Sequence, residues 1–94
     1  MIFVTAHARD RLRQRLRRGE AAVLDAWDHG IPVSALRGRL QAWVLAKIEA
    51  HGTGLASKLR GRWLYIFDAE DLITVLCVPP VLRKQAEKQQ RRAR

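Results

Sequence analysis

Residues 60–80 read RGRWLYIFDAEDLITVLCVPP, and the fold is decided there. The first part alternates in character. Arg60, Arg62, Leu64 and Ile66 share one side of an extended chain; Gly61, Trp63, Tyr65 and Phe67 share the other. Asp68-Ala69-Glu70-Asp71 is polar and suits a hairpin loop. Leu72–Val78 is apolar on both sides, as expected of a central strand covered on two faces. Pro79-Pro80 stops it, because proline cannot donate to a ladder. The stretch predicts two antiparallel strands, 60–67 and 72–78.

Upstream, Met1–Thr5 is short, apolar and β-branched, and reads as a first strand. Leu72–Val78 is expected to lie between it and the strand 60–67. Thr5 can cap a helix running from about Ala6 to Arg18, with Gly19 ending it. Its apolar stripe is narrow: Ala8, Leu12, Leu16. Glu20 to about Asp28 makes a second helix with Val23, Leu24 and Trp27 on its apolar side. Gly30 and Pro32 turn the chain. Ser34 can cap a third helix, Ala35–His51, in which Leu36, Leu40, Trp43, Val44 and Ile48 keep a helical period. Gly52-Thr53-Gly54 stops it.

Downstream, Val81 to about Gln90 reads either as a basic helix or as a flexible tail. The predicted order is strand, three helices, hairpin and a C-terminal helix left open. That is an α+β fold with helices packed on a small three-stranded sheet, antiparallel in its hairpin. Residues 1–80 form a single domain, and 81–94 a basic appendage.

The chain has 94 residues, enough for one domain. Such a domain buries only roughly 60–65% of its unfolded surface, so a homodimer or a partner would add stability. No apolar run reaches the ~20 residues of a membrane span, and no signal-peptide core precedes Arg9 and Asp10. Cys77 is the only cysteine, which excludes disulfide scaffolds and cysteine-built zinc sites. A reducing cytoplasm is the expected compartment. On its apolar strand, Cys77 reads as a small buried hydrophobe.

The net charge is +9, and two segments carry it. Residues 7–18 hold six arginines against Asp10. Residues 81–94 hold Arg83, Lys84, Lys88, Arg91, Arg92 and Arg94 against Glu87. Fourteen of the eighteen basic residues are arginine, whose planar fork matches phosphate. Such clustering suits a polyanion, either a nucleic acid or an acidic protein surface. Arg9, Arg13, Arg18, Arg60, Arg62, Arg83 and Lys84 are the candidate phosphate contacts.

One constellation can carry chemistry. His7, Arg11 and Arg15 recur every fourth residue and form one helical stripe. An imidazole there can take a proton from a ribose 2′-hydroxyl or give one to a leaving oxygen. The two guanidiniums can hold the scissile phosphate and its developing charge. Tyr65, if its side of the sheet is exposed, can orient a base or hydroxyl; facing the helices, it is core. Trp27 and Trp43 lie on apolar helical stripes and read as core. His29 and His51 sit at helix ends and suit capping. Asp68, Glu70 and Asp71 read as solubilising charge on a loop. No metal or cofactor is expected, since isolated histidines without carboxylate spacing make no ligand set.

The run Thr5-Ala6-His7-Ala8-Arg9-Asp10-Arg11-Leu12-Arg13-Gln14-Arg15 resembles the His-Ala-x-x-Arg-x-x-x-Arg start of small bacterial and phage proteins related to RelE-type toxins. Leu72-Ile73-Thr74-Val75-Leu76 resembles their last strand. The opening motif and the whole closing hairpin together cover about a third of the chain. The resemblance implies an α+β ribonuclease-like domain, cutting RNA without metal, alone or on the ribosome, and held by an antitoxin in some relatives. It carries over to His7, Arg11, Arg15 and Thr74. The long third helix departs from the usual pattern, in which the sheet follows soon after the second helix.

Three functions follow as expectations. The first is a metal-independent endoribonuclease with His7, Arg11, Arg15 and Tyr65 in its site. The second is a non-catalytic, regulatory nucleic-acid-binding module. The third is an inhibitor that docks its basic face on an acidic host protein.

Overall fold

The computed structural model describes residues 3–6, 8–10 and 19–92. The elements run β1 (Phe3–Val4), α1 (Glu20–His29), a 3-10 turn (Val33–Ala35), α2 (Gly38–His51), β2 (Ala56–Arg60), β3 (Trp63–Asp68), β4 (Asp71–Cys77), a second 3-10 turn (Pro80–Leu82) and α3 (Arg83–Arg92). Residues 6 and 8–10 are helical as well. The class is α+β, as the pattern predicts.

The sheet order is β1-β4-β3-β2. β4 pairs antiparallel with β3 and parallel with β1, so it lies between them as expected. The sheet nevertheless has one strand more than the three predicted. β2 precedes the hairpin and pairs with β3 from Ala56↔Phe67 to Arg60↔Trp63. The strand predicted over 60–67 is therefore broken at Gly61-Arg62, which turn the chain. Gly61 has φ +62°, a left-handed backbone that glycine adopts without a Cβ penalty. Ala56-Ser57-Lys58-Leu59-Arg60 lacks β-branched and aromatic residues, so propensity gave no strand signal. Pairing with β3 overrides it.

A bulge between Ile66 and Phe67 shifts the register, so that Ile66 faces Thr74 but Phe67 faces Leu72. The extra residue puts Leu72 and Val75, three apart, on the same side of β4. Leu72 and Val75 enter one core; Ile73 and Leu76 pack against the other. The first core joins Leu64 and Ile66 to Leu40 and Val44 of α2. The second joins Tyr65 and Phe67 to Ala8 and to Val23 and Ala26 of α1. Trp27 meets Phe67 edge-on, ring centroids 4.9 Å apart. Both faces of the hairpin are thus covered.

Several boundaries move. α2 begins at Gly38, later than a Ser34 cap would place it. Leu36 and Arg37 are extended, and the buried Leu36 side chain anchors that break. Of the two readings of 81–94, residues 83–92 form the helix. Leu82 and Ala86 are buried in the first core beside Leu40 and Leu64, so this helix packs on the same sheet. Cys77 is exposed, not buried. It is the last residue of β4, opposite the half-buried Trp63.

Gly30 ends α1 at a close approach. Its N–H donates to the Ala26 carbonyl at 2.7 Å. A Cβ there would overlap that carbonyl oxygen and stand 2.7 Å from the Lys58 Cβ. Gly30→Ala is expected to destabilise the fold by about 1–3 kcal/mol through overpacking. Urea unfolding checks this; an unchanged midpoint would show that α1 and β2 can part freely.

Candidate nucleic-acid interface

The predicted contacts fall into three groups. His7, Arg11, Arg13, Arg15 and Arg18 lie outside the described residues. The described residues Thr5, Ala8 and Arg9 are well anchored. The Thr5 N–H donates to the Leu72 carbonyl at 3.3 Å, tying the end of β1 to β4. The Thr5 Oγ1 then accepts from the Ala8 N–H at 3.2 Å, as the predicted cap requires. The Thr5 carbonyl accepts from the Arg9 N–H at 2.8 Å. Ala8 is fully buried against the second core. Arg9 is exposed, 3.8 Å from the Glu20 carboxylate.

The second group is contradicted as surface contacts. Tyr65 is only 2% exposed and packs in the second core, where it cannot orient a base. Its side of the strand faces α1, the alternative in which the aromatics are core. Thr74 is also 2% exposed and lies opposite Ile66, out of reach of RNA. The basic sheet face does not form either. Leu64 and Ile66, on the side assigned to Arg60 and Arg62, are covered by α2 and by the start of α3. Arg60 instead reaches α1, where its Nε donates to Asp25 Oδ2 at 2.8 Å. This pair is half-exposed and contributes about 1 kcal/mol or less.

The third group remains at the surface. Arg62 and Lys84 are exposed. Arg83 is half-buried, with its Nε shielded from solvent and unbonded.

Sequence reasoning missed how α3 is seated. Two consecutive glutamines each grip one backbone residue. The Arg37 N–H donates to Gln89 Oε1 at 2.8 Å, and Gln89 Nε2 donates back to the Arg37 carbonyl at 3.2 Å. The Gly61 N–H donates to Gln90 Oε1 at 2.7 Å, and Gln90 Nε2 donates to the Gly61 carbonyl at 2.8 Å. Each carboxamide thus copies the paired bonds of a β-bridge. Arg37 and the Gly61-Arg62 turn are held on α3 by this means. The basic residues of α3 were legible in sequence; Arg37 was not, because its loop is far away along the chain.

Lys84, Lys88, Arg91 and Arg92 are exposed on α3, as are Arg37 and Arg62 beside it. An open groove of about 410 Å³ is lined by Gly61, Arg62, Glu87, Gln90 and Arg91. Glu87 is its one acid. Asp68, Glu70 and Asp71 are at the other end of β3 from Arg62. Charge is therefore segregated along the sheet. His51 Nδ1 lies 2.8 Å from the Lys47 carbonyl, in the last turn of α2.

Among the described residues no three His, Cys, Asp or Glu side chains come together as a metal site. No described helix is long and apolar enough to cross a membrane. No family model matches the chain, and no curated protein or solved structure matches it.

Proposed function

We propose that this chain is an RNA-targeting, toxin-like protein of the cytoplasm, a metal-independent endoribonuclease whose reacting groups come from the His7, Arg11 and Arg15 run. The reading is supported chiefly by the Thr5 cap on Ala8, which starts a helix where the His/Arg stripe needs one. His7 would move the proton, while Arg11 and Arg15 would hold the phosphate. Tyr65 is withdrawn from this site by its burial.

That burial also favours a second reading. With Tyr65 and Thr74 in the core, the described residues add no catalytic partner to the run, so the protein would bind RNA without cutting it. One experiment separates the two. A defined messenger RNA is followed in a translating lysate with wild type and His7→Ala. Discrete cleavage by the wild type alone supports the enzyme. Intact RNA with both leaves the binder.

A further inference from the structure

We infer that the outer side of α3, with Arg37 and Arg62 fixed beside it, is a separate docking surface that grips the phosphate backbone of RNA without reading its bases. The identity of the polyanion rests on the proposed RNA-targeting function; the surface does not depend on cleavage.

The spacing comes first. Lys84, Lys88 and Arg91 follow one another at four and three residues, so they share one side of the helix. At 1.5 Å per residue they stand about 6 and 4.5 Å apart along the axis. Ala86, Gln89 and Gln90 take the opposite side and face the body of the protein. The row of cations is therefore turned fully outward.

The second argument is rigidity. A loose basic tail would lose conformational entropy on binding. Here α3 is already anchored by Leu82 and Ala86 in the core. The glutamine grips bring Arg37 from the loop before α2 and Arg62 from the β2–β3 turn. Six exposed cations gather from three parts of the chain around one acid, Glu87. The acidic hairpin stands at the far end of the sheet and does not neutralise them.

Tyr65 and Phe67 belong to the second core, Trp27 and Trp63 pack against it, and Trp43 packs against the first. Trp63, next to Arg62, is half-buried, and among the described residues no fully exposed ring accompanies the cations named to stack a base. Contacts to phosphate fix position and carry no sequence information.

Leu82 and Ala86 pack on the first core, whereas Ala8 packs on the second, across the sheet, so this surface is built on the side of the sheet opposite Ala8.

The test is the binding of a fluorescent uridine 20-mer across salt concentrations. The triple variant Lys84→Gln, Lys88→Gln, Arg91→Gln keeps good helix formers at exposed positions. Three lost single-strand contacts flatten the slope of log affinity against log salt by about 2. The wild type should accordingly lose about 20-fold more affinity than the variant between 50 and 200 mM salt. Gln90→Ala serves as a positioning control. It should weaken binding several-fold with an unchanged slope, because it frees the turn but removes no charge.

Equal affinity and slope for wild type and triple variant, with matching thermal melts, would overturn the proposal. Equally tight binding of polyglutamate would also overturn it, since the surface would then suit any polyanion. A protein that binds RNA through α3 but leaves messenger RNA intact in the lysate keeps this surface and loses the enzyme. The reverse result keeps the enzyme and loses the surface.

Discussion

Phe67→Ala is expected to lower the free energy of unfolding by about 3–5 kcal/mol. Phe67 heads the largest fully buried side chains described and is 0% exposed. Its ring fills the second core between α1 and the sheet and meets Trp27 at 4.9 Å. Around it stand Ala8, Val23, Ala26, Tyr65, Leu72 and Val75, all buried in the same core. Neighbours buried in this way relax only partially, so part of the cavity stays open. Phe67 also sits at the bulge, where backbone adjustment would disturb the pairing with Leu72. A small domain has only about 5–15 kcal/mol in total. At about 4–8 °C per kcal/mol, the melting temperature should fall by about 12–40 °C. Circular dichroism through a urea titration measures this. Leu24→Ala, at a half-exposed position of α1, should stay within about 0.5 kcal/mol. A loss below 1 kcal/mol for Phe67→Ala would mean that the second core is not packed as described.

The parts of this fold legible in sequence were those with a strong local period. The apolar run Leu72–Val78 identified the central strand, and two neighbours were assigned to it correctly. Leu40, Trp43, Val44 and Ile48 marked α2. Thr5 announced its own cap. What escaped was decided by tertiary contact. β2 carries Ser57, Lys58 and Arg60, a composition that suits a surface as well as a strand; the β3 partner and the bridge from Ile31 to Leu59 make it one. The alternation of 60–67 was real from Trp63 onward, but its extension to Arg60 ignored the glycine turn. That error produced a basic sheet face that does not exist. The site suffered from the same cause. Charge could be counted along the chain, so the two basic segments stood out. Their partners could not, because Gln89 and Gln90 look like ordinary surface residues until Arg37 and Gly61 are seen beneath them.

His7→Ala should reduce RNA cleavage by about 10²- to 10⁴-fold, the usual worth of a positioned acid or base. That loss should be chemical and not a loss of folding. The anchors of this turn are its neighbours: the Thr5 hydroxyl on the Ala8 N–H, and the buried Ala8 methyl. His7→Ala keeps both Thr5 and Ala8, and alanine is the best helix former, so the melting temperature should hold. Thr5→Ala makes the contrast. It removes the cap, costs about 1 kcal/mol and loosens the helix start, but deletes no reacting group. Its effect on cleavage should be correspondingly small and accompanied by a lower melting temperature. Arg11→Lys keeps the charge but loses the planar fork that grips two phosphate oxygens. It should therefore retain RNA binding while slowing the cut. If His7→Ala cleaves like the wild type, the imidazole has no part in the reaction. If all three variants merely track stability, the run is structural, and the only RNA chemistry left to the protein is the grip of its C-terminal helix.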